Sequence, residues 1–238
     1  MDTSDFRTTD GQAVTAVTAV EMEAVDRVAV EEFGISLLQM MENAGRNLAG
    51  HVRELTPDRV VVLAGNGGNG GGGMCAARHL ANRDVAVSVV LDRSPDQLTG
   101  AARTQYETLA KMGVPVSEGT APLIEESGLV LVDALVGYGL DGPLRGTAAD
   151  LVDLTDDRDA SVVSLDVPSG MVATSGDRPG TAVDPDSVLT LALPKTGLTE
   201  CDAALSLADI AIPAGVYGSL DIPYVTPFDE EYWVELTR

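Results

Sequence analysis

Residues 60–80 read VVVLAGNGGNGGGGMCAARHL, and this stretch decides the fold. Residues 60–64 are wholly apolar, as in a short strand of a parallel sheet covered on both faces. Seven of the nine residues 65–73 are glycine, which predicts a loop whose backbone N–H groups can approach a ligand closely. A helix is predicted over 74–82. A glycine loop between a strand and a helix suits a phosphate, because free N–H groups and the helix dipole meet there. It is no Walker motif, since no Lys-Ser/Thr follows. Gly65, Gly67 and Gly70 satisfy G-x-G-x-x-G, and Asp92 follows the next strand, where a ribose partner would sit. In so glycine-dense a loop that match is nearly automatic, and alone it points no further than a nucleotide.

Outward from this stretch the pattern alternates. Upstream, two helices are expected over 18–33 and 36–55. The first has a Thr18/Glu21 capping box and Gly34 after its last turn, and the second places Leu37, Leu38, Met41, Ala44, Leu48 and Val52 on one face. Downstream, strands are expected over 85–91, 114–116, 129–134, 161–166, 188–193 and 207–212, with a helix over 101–112. Such alternation means an α/β fold: a three-layer α/β/α sandwich with a mainly parallel, Rossmann-like sheet. A single domain is expected over 1–238, with a helical lead-in over 16–55, an α/β core over 58–215 and a short C-terminal tail, DIPYVTPFDEEYWVELTR. Ligands of such sheets bind outside the carboxyl ends of the strands.

Composition narrows the function classes. Among 238 residues, 37 are Asp or Glu and 15 Lys or Arg, a formal charge of −22. Nucleic-acid phosphates would be repelled, so no nucleic-acid partner is expected. A hydrophobic share of 45% is enough for a packed core. No apolar run approaches the roughly 18 residues of a membrane span, and no signal peptide opens the chain, so a cytoplasmic protein without a membrane partner is expected. Only Lys111 and Lys195 are lysines, and an acidic, lysine-poor surface suits concentrated salt, as in a halophile. Cys75 and Cys201 form neither a disulfide framework nor a zinc pattern, and Cys75 reads as a packed helix position. His51 and His79 read as surface or packing residues.

Two further loops follow apolar strands. Asp133 ends one strand and opens the loop that runs to Gly146; a carboxylate there must be solvated, paired or bound to a cation, or else cap a helix. Asp166-Val167-Pro168-Ser169-Gly170 closes another, with Pro168 stiffening the turn. Ser169 is not in a nucleophile elbow, because Gly-x-Ser-x-Gly is absent. Oxygen ligands from Asn69, Asp133 and Ser169 would suit a hard cation rather than zinc, though Asp166 and Ser169 also suit simple bracing of a turn.

Five ordered blocks now stand out: TAVEMEAVDRVAVEEFGISLLQMMENAGRNLA, VVVLAGNGGNGGGGMCAARHL, VDALVGYGLDGPLRG, SLDVPSG and TLALPKTGL. With them the chain resembles the YjeF N-terminal domain family, the NAD(P)H-hydrate epimerases, over about residues 16–215. The resemblance implies a potassium site at Asn69, Asp133 and Ser169. It implies substrate contacts at Gly68, Asn69, Gly70, Gly71 and Gly72 and at Gly137, Tyr138, Gly139, Leu140, Asp141, Gly142 and Pro143, with Asp166 at the reactive end. The family pattern Asn-Asn-Gly-Gly-Asp stands here as Gly68-Asn69-Gly70-Gly71-Gly72, so an asparagine and an acid are missing. Asp141 is a candidate to replace the acid.

The implied reaction interconverts the R and S forms of hydrated NADH and NADPH (NADHX and NADPHX) at C6 of the nicotinamide ring. Inversion needs a C–O or C–N bond to break and re-form, and either route needs a proton moved at the hydroxyl, a task for one placed carboxylate. Asp166, at a strand end beside a rigid loop, is the candidate catalytic residue. A catalytically silent nucleotide- or protein-binding member of the same fold is the alternative, motivated by Gly72. A dehydrogenase with Asp92 on the ribose is a third reading, and it leaves four blocks unexplained. Bifunctional relatives add a dehydratase; residues after the last matched block are too few for a further domain, so a separate dehydratase is expected in the same pathway. A homodimer through the N-terminal helices is also implied.

Overall fold

The computed structural model describes residues 5–119, 128–156 and 160–238. Ten strands form one sheet: β1 (Phe6–Thr8), β2 (Ala13–Val14), β3 (Arg59–Ala64), β4 (Ala86–Leu91), β5 (Val116–Glu118), β6 (Leu129–Ala134), β7 (Ser161–Leu165), β8 (Ser187–Leu191), β9 (Ala204–Ala208) and β10 (Trp233–Thr237). Their order is β2-β1-β10-β9-β8-β7-β6-β3-β4-β5. Strands β3 to β9 pair in parallel, while β10, β1 and β2 add an antiparallel edge. From β3 the chain winds outward through β4 and β5, then returns to the other side of β3 with β6. The switch of direction therefore falls between β3 and β6, where the ends of adjacent strands open a crevice.

Helices cover both faces. They are α1 (Ala19–Glu31), α2 (Leu37–Glu54), α3 (Gly68–Ala81), α4 (Gly100–Met112), α5 (Thr147–Asp156) and α6 (Ala214–Ser219). Alternation along β3 and β6 explains the layering. Val60, Val62, Val130 and Val132 face Leu48, Met74, Leu80 and Leu109 of α2, α3 and α4. Val61, Leu63, Leu129 and Leu131 face Leu151 and Val152 of α5. A third cluster joins Met22 and Val25 of α1 to Met40 and Ala44 of α2 and to Val216 and Tyr217 of α6.

The capping box at Thr18 forms as expected, and Ser36 with Gln39 forms a second. Five expectations need correction. The glycine run is not a loop beyond Gly67: α3 begins at Gly68, six residues early. Intrinsic propensity opposes this by about 1 kcal/mol per glycine relative to alanine, but close packing overrides it. A Cβ at Gly71 would lie 2.5 Å from Met41 of α2, and one at Gly73 would lie 2.5 Å from Ala134 of β6. The last parallel strand is Ala204–Ala208 rather than 207–212, and the first short one begins at Val116, after Pro115, rather than at Val114. The C-terminal stretch is not only a tail, since β10 pairs with both β9 and β1. Finally, Leu37 and Leu38 are 47% and 40% exposed; the buried face of α2 is Met41, Ala44, Leu48 and Val52.

Candidate active site

A cleft of about 860 Å³ opens at the carboxyl ends of β3, β4, β6, β7 and β8, roofed by α1 and the start of α2. Its floor holds Asp166, in the residue after β7. The backbone there is left-handed, φ 71°, which a short polar side chain tolerates better than a branched one. The amide of Asp166 donates to Leu189 O at 2.8 Å. Its Oδ1 accepts from Leu191 N at 3.3 Å and from the Thr190 hydroxyl at 3.4 Å. Lys195 forms a hydrogen-bonded ion pair with the same oxygen, and the two side chains are only 1% and 5% exposed. The Lys195 ammonium also donates to Leu191 O at 2.9 Å and lies 5.7 Å from the centre of the Tyr138 ring. Ala192, between Leu191 and Lys195, is left-handed too, at φ 62°. Two neighbouring strand ends thus carry strained backbone, which persists only where surrounding contacts hold it.

The second oxygen of Asp166 faces the cleft. Oδ2 accepts from Tyr138 N at 3.2 Å. Glycine at 137 is required here: a Cβ would sit 3.0 Å from Asp166 Oδ2 and 3.1 Å from Asn69 Oδ1, filling the notch between them. Asn69 lies in the first turn of α3, and its buried Nδ2 has no hydrogen-bond partner. Above the notch the Tyr138 hydroxyl donates to Asp26 of α1 at 2.5 Å. Burial pushes the Asp26 carboxyl above its ordinary value, against the opposing pull of that hydrogen bond.

Asp133 ends β6, one strand from Asp166. It is fully buried and accepts from the Ser169 hydroxyl at 2.5 Å, Ser169 N at 2.8 Å, the Ser164 hydroxyl at 2.8 Å and Leu135 N at 3.3 Å. Burial pushes its carboxyl up, with those donors pulling the other way. Among the described residues no cationic side chain pairs with it. A buried carboxylate met only by neutral donors, with the Ser169 hydroxyl on it, offers oxygen ligands of the kind a hard cation takes. Asn69 could add only its Oδ1, because its unpartnered Nδ2 is a donor and calls for an acceptor.

The expected site residues divide into two groups. Gly68, Asn69, Gly137, Tyr138, Gly139 and Asp166 line the cleft, with Asp133 and Ser169 buried beneath it. Gly70, Gly71 and Gly72 are buried inside α3, and Leu140, Asp141, Gly142 and Pro143 lie outside the cleft lining. A Cβ at Gly72 would meet Leu165 of β7 at 2.9 Å, so an acid there would point at the sheet and not into the cleft. Cys75 packs at 0% exposure, its thiol pushed up to about 12 by burial. Lys195, Asp26 and Arg93 are cleft residues that sequence reasoning did not single out. Lys195 had one usable signal: it is one of two lysines, in a block of otherwise apolar and small residues.

Several known proteins are similar to this chain in sequence, and one solved structure is similar in fold. The chain is 45% identical to the NAD(P)H-hydrate epimerase of Dehalogenimonas lykanthroporepellens, over 98% of this chain and 97% of that protein. It is 34% identical to that of Truepera radiovictrix, over 89% and 97%. The bifunctional NAD(P)H-hydrate repair enzyme Nnr of Hyperthermus butylicus is 36% identical over 92% of this chain, which spans only 42% of that protein. The crystal structure of yeast ynu0 superposes with a TM-score of 0.82 at 23% identity, covering 93% of this chain and all of that one, and it shares the fold. The family model described as YjeF-related protein N-terminus matches residues 37–197, from the start of α2 through the Lys195 loop. By that match and these relatives, the chain belongs to the family of YjeF-related protein N-termini.

Proposed function

We infer that this chain is an isomerase that interconverts the R and S forms of NADHX and NADPHX, with Asp166 moving the proton. The observation that carries the assignment of Asp166 is its geometry: one oxygen is anchored by Lys195, and the other is left open to the cleft by Gly137. The likeness to NAD(P)H-hydrate epimerases over nearly their full length supports the reaction.

Two routes invert C6. In the first, protonated Asp166 gives its proton to the C6 hydroxyl, the C6–O bond breaks, and water leaves an iminium between C6 and the ring nitrogen. Water then adds to the opposite face and returns a proton to the carboxylate. In the second, the carboxylate takes the hydroxyl proton and the C6–N bond breaks, its electron pair going to nitrogen along with the proton from Asp166. The resulting aldehyde turns about C5–C6 and the ring closes on its other face. Neither route needs an oxidant or a reductant, and both use one proton carrier within hydrogen-bond reach of the hydroxyl.

The remaining residues bind and orient. Gly67, Gly68 and Asn69 present the first turn of α3 to the cleft, a seat for the pyrophosphate. Lys195 acts as a positioning residue through Asp166, and Tyr138, tied to Asp26, walls the nicotinamide end. Potassium is assigned to Asn69, Asp133 and Ser169, where it would supply positive charge beside an anionic substrate. A homodimer through α1 and α2 is supported by exposed Val20, Phe33 and Leu38, which lie outside the cleft lining on these helices and their junction. Among the described residues no helix is long and apolar enough to cross a membrane, in keeping with a cytoplasmic setting. A separate dehydratase would complete the repair.

The test is chromatographic. Pure (R)-NADHX in potassium chloride should convert to the S form faster than it does spontaneously, and Asp166→Asn should slow this by about 10²–10⁴-fold. Tight binding without acceleration would instead make the chain a silent nucleotide-binding member of the fold.

A further inference from the structure

At the far end of the cleft from Asp166, Asp92 and Arg93 follow β4 and both line the wall. Arg93 Nε donates to Asp92 Oδ1 and Nη2 to Oδ2, each at 2.8 Å, a two-pronged pair between adjacent residues. The Asp92 side chain is 7% exposed and that of Arg93 39%. The carboxylate is thus covered and its charge matched, while the guanidinium remains open to the cleft. Guanidinium has five N–H bonds. With the Nε/Nη2 edge held by Asp92, the Nη1/Nη2 edge is left to face a ligand.

Strand order says which part of the substrate reaches this point. From β7, which carries Asp166, the sheet runs through β6 and β3 to β4. Three inter-strand steps separate the two sites by about 14 Å, a span suited to an extended dinucleotide. With the nicotinamide at Asp166 and the pyrophosphate at the start of α3, the adenosine ribose falls beside β4. An acid after this strand normally takes the ribose 2′-hydroxyl, whereas an arginine there accommodates a 2′-phosphate. Asn66 shapes the same wall: its Oδ1 accepts from Thr99 N at 2.8 Å, which fixes the loop before α4.

We propose that the Asp92–Arg93 pair is an adenosine-side subsite in which Arg93, aimed by Asp92, binds a ribose 2′-phosphomonoester and thereby favours NADPHX over NADHX. The assignment rests on the reading of the cleft as a hydrated-dinucleotide site. Asp92 positions the guanidinium, and the edge left free matches two phosphate oxygens. The cleft also holds Glu23, Asp26 and Glu31 on α1 against one cation of that helix, Arg27, so an added phosphate dianion calls for a cation at its own position.

Two measurements on wild type, Arg93→Leu and Arg93→Lys at fixed potassium chloride test this. In the first, epimerisation of NADPHX and NADHX is compared. Arg93→Leu should lower kcat/KM for NADPHX by about tenfold or more without lowering that for NADHX, for which the freed Asp92 can take the ribose 2′-hydroxyl, with Arg93→Lys between. In the second, calorimetry compares adenosine 2′,5′-bisphosphate with adenosine 5′-monophosphate. The wild type should prefer the bisphosphate, and Arg93→Leu should lose that preference. A protein that epimerises neither hydrate yet shows the Arg93-dependent preference would sink the catalytic reading and keep the subsite. Unchanged ratios in both measurements, in an active and folded Arg93→Leu variant, would overturn the subsite and leave the epimerase standing.

Discussion

Asp133 and Asp166 end neighbouring parallel strands, both buried, yet they are satisfied in opposite ways. Asp133 meets hydroxyls and amides only, from Ser164, Ser169 and Leu135. Asp166 meets an ammonium on one oxygen and the cleft on the other. A carboxylate held only by neutral donors has no charge partner within the described chain, and burial favours its neutral form unless a cation is brought to it. One paired with a lysine is fixed in orientation, and its other oxygen, met within the chain by Tyr138 N, can work on a substrate. Strand-end placement is thus shared, and the partners set the role.

The contrast predicts where the molecule is fragile. Lys195→Met keeps the length of the stem but leaves Asp166 buried without its counter-charge. Thermal or denaturant unfolding should show a loss of about 3–5 kcal/mol. A loss below about 1 kcal/mol would mean the pair is not the anchor described. Gly72→Asp should follow at about 3 kcal/mol, because its carboxylate would be driven against Leu165 between α3 and β7. A variant that is instead as stable as wild type, with faster epimerisation, would show that position 72 does reach the substrate.

Asp133→Asn should have a smaller effect on folding in sodium chloride, since the amide keeps the shape and an acceptor. Its signature is the loss of any extra rise in Tm that potassium gives wild type over sodium at equal ionic strength. An equal potassium response in both proteins would remove Asp133 from the proposed cation ligands.

The smallest expected effect lies away from the cleft, at His51, whose ring meets Trp233 of β10 edge-on at 6.4 Å. Burial holds the imidazole below its usual range, against Glu54 and Glu235, so the unfolded chain binds the proton more readily. This contribution to stability is complete above the unfolded value of about 6.5 and is lost as pH falls through it. His51→Gln should therefore flatten part of the stability decline between about pH 7 and 5.5. Identical pH slopes in the two proteins would exclude His51 as a source.

Legibility followed the length scale of each interaction. Strands β3, β4, β6 and β7 were readable because burial on both faces demands mostly apolar runs, interrupted in their interiors only by Ser88, Asp133 and Ser164. The Thr18 cap was readable because its partner is three residues away. Asp133 and Asp166 could be named because each closes an apolar run, and Asn69 and Ser169 because each stands among glycine or proline just past such a run. The short strand β10 escaped, since Val234 and Leu236 alternating with Glu235 and Thr237 make too short a pattern to stand out and its pairing partner β1 lies far away in the chain.

By itself the sequence determined a parallel α/β sheet, a family, and the carboxylates at the ends of β6 and β7, because these follow from local pattern and motif order. Only the tertiary structure decided that the glycine run is helix, that position 72 faces Leu165, and that Lys195 and Arg93 are the cleft's anchored cations. Those facts depend on which surfaces come within a few ångströms after folding. No local preference encodes that: glycine disfavours the helix it forms here, and α2 and the sheet hold it there by packing.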